Sequence, residues 1–225
     1  MTREQHKEFL KKLLLVSEVR VGVKWSNDYG ATTMRQAKVL NETEIKKLMK
    51  VCELTRYAER NRLIVSLSVL SGMRACEIAN LRINNVLSGT NEVLDLIVLD
   101  KEQTKGNKRQ TVVVSTALKK EILRYVTAKP QLLKRDKGGF LLRTQKGSFS
   151  SQTIQNLFRQ LYELANIPQA SSHSGRRTFI TKLSENGVAV PIIQKLARHS
   201  SLSTTQRYIE VSDDKLYNAV NTVSY

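Results

Sequence analysis

The chain has 225 residues, 40% of them hydrophobic and 25% charged, a balance that excludes wholesale disorder and collagen-like structure and fits one large domain or one domain with a short appendage. No apolar run approaches the ~18 residues of a membrane span, and Leu13-Leu14-Leu15-Val16 is too short for the core of a secretory signal, so a cytoplasmic protein without membrane contact is expected. Thirty-seven Lys and Arg against twenty Asp and Glu leave a net charge of +17. Such a field attracts polyanions and is the usual footprint of nucleic-acid binding, although a ribosomal or merely soluble basic protein carries it too.

In chain order, Leu10, Leu13 and Leu14 suggest one short helix with Lys11 and Lys12 opposite, and Ser26-Asn27-Asp28-Tyr29-Gly30 reads as a loop. Residues 1–37 are therefore expected to be an arm or linker without its own core. Asn41 with Glu44 forms a capping-box signature, and Ile45, Leu48, Met49 and Cys52 fall on one helical face. A second helix is predicted over residues 57–70, stopping at Ser71-Gly72, where glycine suits a left-handed cap. A short helix over 75–81 follows.

Residues 92–99 and 110–114 read as strands joined by a hairpin through Thr104-Lys105-Gly106-Asn107-Lys108. Gly139-Phe140-Leu141-Leu142 is predicted to add a third, short strand. Thr116 is expected to cap a helix to about 128. Ile154, Leu157, Phe158 and Leu161 repeat at helical spacing. His173 precedes a helix ending near Gly187, and Pro191 suits the first position of the next. Segments 204–209 and 213–220 complete a mostly helical α+β domain with a small antiparallel three-stranded sheet. Cys52 and Cys76 make no disulfide framework or metal cluster and are expected as buried free thiols; the three histidines are His6, His173 and His199.

Several polar residues sit where packing alone would not put them. Arg74 opens a helix just after the Gly72 turn, with Glu77 three residues on. A guanidinium there opposes the helix dipole unless an anion such as a phosphate binds beside it, and the plain alternative is a weak surface ion pair. His173 and Arg176 are one helical turn apart. His199 precedes Tyr208 by nine residues. Each fragment alone is weak, because a lone histidine or tyrosine is usually structural.

Their order carries more. Leu70-Ser-Gly-Met-Arg74-Ala-Cys-Glu77, Thr104-Lys105-Gly106, His173-Ser-Gly-Arg176-Arg-Thr178 and Leu196-Ala-Arg-His199-Ser-Ser-Leu-Ser-Thr-Thr-Gln-Arg-Tyr208 together resemble the tyrosine recombinase (phage integrase) family, over about residue 38 to the C-terminus. The resemblance implies a catalytic domain at 38–225 that cleaves and rejoins double-stranded DNA through a 3′-phosphotyrosine, with no metal, ATP or other cofactor. Tyr208 would be the nucleophile, Arg74, Arg176 and His199 would hold the phosphate oxygens, and Lys105 would protonate the leaving 5′-hydroxyl. His173 would move a proton or donate to the phosphate. Glu77 would orient an arginine or histidine.

DNA contacts are expected from Lys101, Lys108, Arg109, Lys134, Arg135, Lys137, Arg143, Lys146 and Arg177, mainly to backbone phosphates. The family commonly has glycine where Arg198 stands and leucine where Gly175 stands; neither position is expected to touch a catalytic group, although Gly175 could loosen its helix start. Most members carry a helical DNA-binding domain ahead of the catalytic one, where only about 37 residues precede it here. Relatives dock a segment after the nucleophile on a neighbouring subunit, so a homo-oligomer, a tetramer on paired sites, is expected through a tail from about residue 212, with an accessory DNA-bending protein as a further partner. Two other readings stay open: a DNA-binding accessory with little turnover, and a type IB topoisomerase-like relaxing enzyme.

Overall fold

The computed structural model describes residues 36–104, 106–145, 147–209, 216–217 and 220–222. Residues 1–35 of the expected arm, Lys105, Lys146 and most of the expected C-terminal tail fall outside the described residues.

Asn41 caps α1 (Glu42–Glu53) as predicted. Its side chain accepts from the Glu44 amide at 2.8 Å, while the Glu44 carboxylate accepts from the Asn41 amide at 3.0 Å. The next helix, α2 (Ala58–Ser71), is buried nearly all round, with Leu63, Ile64, Val65, Leu67 and Val69 interleaved by Ser66, Ser68 and Ser71. A helix without a polar face belongs at the centre of a domain, and α2 packs against α1, α5 (Thr116–Ala128) and α7 (Ser174–Glu185). The hydroxyls of Ser66 and Ser68 find no partner among the described residues; these serines supply small size at a tight crossing. Gly72 ends α2 in the left-handed region (φ +61°), its amide bonded to the Ser68 carbonyl at 3.0 Å. The short helices α3 (Ala75–Ala79) and α4 (Ile83–Val86) follow.

Strands β1 (Leu96–Leu99) and β2 (Gln110–Val113) pair antiparallel, Leu96 opposite Val113 and Leu99 opposite Gln110. The expected third strand does not join them. Residues 139–141 bond instead to the segment entering α4: the Ile83 amide donates to the Gly139 carbonyl at 2.9 Å and the Leu141 amide to the Leu81 carbonyl at 2.8 Å. Those bonds tie the segment to residues 81–83, with Leu141 and Leu142 fully buried, and it takes no place in the hairpin sheet. A separate small ladder forms from β3 (Arg143–Thr144) and β4 (Gly147–Ser148), so the described residues hold two two-stranded sheets rather than one of three strands.

Ser115, not Thr116, caps α5, accepting from the Leu118 amide at 3.2 Å. The helical half continues with α6 (Ser151–Leu164), α7, α8 (Val190–Ala197), where Pro191 is the second residue, and α9 (Leu202–Gln206). Cys52 is buried, but Cys76 is only half-buried. One apolar cluster runs from Leu40 to Ile167. A smaller one joins Ile180, Ile193 and Ala197, with Phe179, Leu183, Val188, Tyr208 and Ile209 at its margin. No helix among the described residues is long and apolar enough to cross a membrane.

Candidate active site

The Gly72 turn aims Arg74 away from the end of α2, and Arg74 caps α3 in extended conformation. Three residues on, Glu77 is fully buried. Its Oε2 accepts the Arg74 amide at 2.9 Å and its Oε1 accepts Arg74 Nη1 at 2.7 Å. This pair therefore bridges the interior and the surface, unlike the wholly solvated pair that weakens exposed ion contacts. A second guanidinium reaches the same carboxylate: Arg198 Nη2 donates to Glu77 Oε2 at 3.0 Å, and the Arg198 carbonyl accepts from Arg74 Nη2 at 3.3 Å. The expectation that position 198 would touch no catalytic candidate is thus corrected; it contacts two of them. The left-handed backbone that suits glycine there is present (φ +56°), because residue 198 closes the end of α8.

Arg176 lies in the first turn of α7 and is almost wholly buried. Its Nη1 donates to the Gly72 carbonyl at 2.5 Å and its Nη2 to the Ala197 carbonyl, so one side chain joins the α2–α3 turn to the negative end of α8. Burial, and then the neighbouring Arg74 and Arg198 charges, lower its pKa to about 9, which leaves it cationic at neutral pH. Gly175 makes this approach possible. A Cβ there would stand 2.4 Å from Ser68 Oγ and 2.9 Å from Ser68 Cβ, so the glycine lets α7 close onto α2 and does not loosen it.

His199 follows Arg198 directly. Its Nδ1 lies 2.9 Å from the Oγ1 of the fully buried Thr205 on α9, and that contact fixes the ring's orientation and favours one tautomer. The Tyr208 ring stacks on the imidazole, centroids 5.7 Å apart and planes at 23°. Tyr208 is half-buried at the margin of the smaller apolar cluster, held by its ring without being sealed into the core. Burial, and then Arg176, Arg74 and Arg198 in turn, lower the His199 pKa to about 4, so the imidazole is neutral at pH 7.

The unfolded chain binds a proton at ~6.5, well above the folded value. Between those two values unfolding takes up a proton, so His199 makes stability fall as pH drops from ~6.5 toward 4. An NMR titration of the imidazole should give an inflection well below that of a free histidine. Adding a phosphate-bearing duplex should move the inflection upward.

The other candidates are spread more widely. His173 is the exposed cap residue of α7, one turn from Arg176. Lys101, Lys108 and Arg109 are exposed between β1 and β2, and Lys134 is exposed after α5. Lys137 bonds Asn91 Oδ1, and Arg177 turns its Nη1 to the Ala37 carbonyl at 2.9 Å. Arg135 and Arg143 border a depression of about 360 Å³ together with Arg56, Arg60 and Lys129. Arg60 stacks between Tyr57 and Phe149, 4.2 and 5.0 Å from their centroids. None of these five cations forms an ion pair among the described residues, and Glu59 in the same wall is held by Arg124 at 2.8 Å.

Sequence reasoning missed Arg56, Arg60, Thr205 and the contacts of Arg198. Only the last carried a signal, as an arginine where a glycine is common.

Three arginines, a carboxylate, a histidine and a tyrosine come together between the Gly72 turn, the start of α7 and the end of α8, a cationic cluster of the kind that suits an anion such as a phosphate. Residues 38–215 match the phage integrase family model, and the chain belongs to that family. It is 30% identical over 192 residues to tyrosine recombinase XerC of Caldanaerobacter subterraneus subsp. tengcongensis, covering 84% of this chain and 52% of that protein. A crystal structure of XerA recombinase is similar with a TM-score of 0.66 and 25% identity, over 85% of this chain and 68% of that one. The post-cleavage complex of the XerH site-specific recombinase with palindromic difH substrate shares the fold at a TM-score of 0.63 and 20% identity, over 86% and 55% of the two chains. The chain thus spans about half the length of the XerC relative.

Proposed function

We propose that this chain is a site-specific DNA recombinase that cleaves and rejoins strands through a 3′-phosphotyrosine. The observation that carries the reading is the convergence of Arg74, Arg176, His199 and Tyr208 around one position, with Glu77 behind them. The Tyr208 oxygen attacks the scissile phosphorus, the phosphorus–O5′ bond breaks, and the phosphate stays on Tyr208 while a 5′-hydroxyl departs. Arg74 and Arg176 compensate charge on the non-bridging oxygens. His199, its ring set by Thr205, donates its other N–H to the same phosphate. Lys105 protonates O5′, and His173 passes the tyrosine proton or adds a phosphate donor; both assignments rest on the family pattern. Because the phosphotyrosine keeps the energy of the phosphodiester, a 5′-hydroxyl of another strand reverses the step without ATP.

In this reading residues 38–225 form the catalytic domain of a cytoplasmic DNA-acting protein. Incubation with nicked duplexes in EDTA and without ATP should yield a covalent protein–DNA species. Its absence from the wild-type chain across a random-sequence duplex library would sink the proposal.

The duplex backbone is read as lying against the exposed Lys101, Lys108 and Arg109 and against the basic depression of Arg56, Arg60, Arg135 and Arg143. Alanine at Arg60 should weaken duplex binding across all sequences and lower the slope of log affinity against log salt by about 1; fluorescence anisotropy at several salt concentrations reads both. Oligomerisation through the tail, up to a tetramer on paired sites, is supported by Leu216 and Val220, four residues apart and 56% and 71% exposed. An accessory DNA-bending protein would help bring such sites together.

A further inference from the structure

We infer that Arg198 is a positioning residue of this site, a third guanidinium that sets Arg74 and Arg176 in register for a single phosphate. The inference rests on the proposed transesterification, and its starting point is a local cost. Position 198 has φ +56° and ψ +46°, a conformation that an L-residue with a side chain enters at about 1–2 kcal/mol. Glycine would occupy it freely. Arginine also adds a cation to a cluster whose one buried carboxylate, Glu77, is already paired with Arg74, and its own Nε is left buried without a partner. Buried ion pairs add little net stability once desolvation is counted. Strain, repulsion and an orphaned donor at one residue therefore point away from a stability role.

What the side chain does is join the parts. It donates to Glu77 Oε2 at 3.0 Å, to the Gly72 carbonyl at 3.2 Å, to the Ser71 carbonyl at 3.3 Å and to the Leu196 carbonyl at 3.0 Å. Glu77 is the carboxylate that holds Arg74, and the Gly72 carbonyl is the acceptor that holds Arg176. Arg198 consequently grips the anchor of each phosphate-facing arginine, and its own carbonyl takes the second Arg74 nitrogen. A rigid fork suits this task better than an ammonium, which has the charge without the planar spread of donors. Holding charges in place before the substrate arrives is where such sites gain rate. Burial, then Arg176 and Arg74, lower the His199 pKa, and the Arg198 guanidinium adds to the same effect; Glu77 and Tyr208 are the other ionisable groups of the cluster.

The test compares the wild-type chain with Arg198→Gly, which suits the backbone, and Arg198→Lys, which keeps the charge without the fork. At saturating nicked duplex, adduct formation should fall about 10- to 100-fold in Arg198→Gly, the scale expected for misplaced reacting groups. Duplex affinity should change by less than about threefold, since it is spread over many backbone contacts. The His199 inflection should rise in Arg198→Gly and stay near the wild-type value in Arg198→Lys, whose adduct rate should still be reduced.

A folded Arg198→Gly that forms adduct at the wild-type rate, or that loses rate only in step with affinity, overturns the inference. Should Arg198→Gly fail to fold, Arg198→Lys decides: wild-type adduct formation there overturns it. A wild-type chain that forms no adduct sinks the recombinase reading by itself, and the His199 titrations then decide on Arg198, an unmoved inflection in Arg198→Gly overturning its placement in the cluster.

Discussion

Alanine in place of Glu77 is expected to destabilise the fold by about 3–5 kcal/mol, the range for removing one partner of a buried charge pair. Two guanidiniums lose their common acceptor in that variant, and the Arg198 side chain, only 2% exposed, has no water to turn to. Burial alone would raise the Glu77 pKa, but the Arg198 charge, the Arg74 amide and the Arg74 guanidinium together hold it below the ordinary carboxylate range. A carboxyl depressed in the folded state contributes stability that is present above its unfolded value, ~4.3, and is lost as pH falls through the folded value. Urea titrations of wild type should therefore show an acid-dependent loss below pH ~4.3 that Glu77→Ala lacks. A variant within about 0.5 kcal/mol of wild type at pH 7 would show that the buried network is not formed.

Gly175→Ala should be the second large effect, and its sign is informative. In the interior of an ordinary helix the change would stabilise by up to about 1 kcal/mol. Here the added methyl meets Ser68 Oγ at 2.4 Å, Ser68 Cβ at 2.9 Å and Val69 Cγ2 at 3.2 Å, all on the central helix α2, which cannot shift without disturbing both α5 and α7. Overpacking of this kind costs about 1–3 kcal/mol. Because Arg176 is the next residue, the displacement should also lower adduct formation by about 10- to 100-fold. Combining it with Ser68→Gly should recover part of both losses, a coupling that a double-mutant cycle measures. A stabilised Gly175→Ala would contradict the close crossing of α7 on α2.

What the sequence disclosed was what its neighbours decide locally. The Asn41–Glu44 box, the Gly72 cap and the apolar spacing of Ile154, Phe158 and Leu161 are interactions among residues a few positions apart, and the structure has each of them. One-residue slips, Ser115 for Thr116 as a cap and Pro191 as the second rather than first residue of its helix, are within the tolerance of any boundary. The third strand failed for a different reason. Residues 139–141 look like a strand, yet their partners are at 81–83, and hydropathy carries no record of which distant backbone is nearest.

The site divides the same way. The order Arg74, Arg176, His199, Tyr208 was legible as a family pattern. The clasp made by Arg198 joins residues 121 positions apart, and the sequence showed only that a glycine was missing. Arg60 between Tyr57 and Phe149 is hidden for the same cause, since Phe149 comes to it from a distant part of the chain.

The most direct measurement is where the DNA becomes attached. After trapping on a nicked duplex, nuclease and protease digestion followed by tandem mass spectrometry should place one 3′-linked phosphonucleotide on the Tyr208 peptide, with no adduct from Tyr208→Phe. A phosphonucleotide on Tyr217, Tyr225 or a serine, or an adduct that survives Tyr208→Phe, would contradict it.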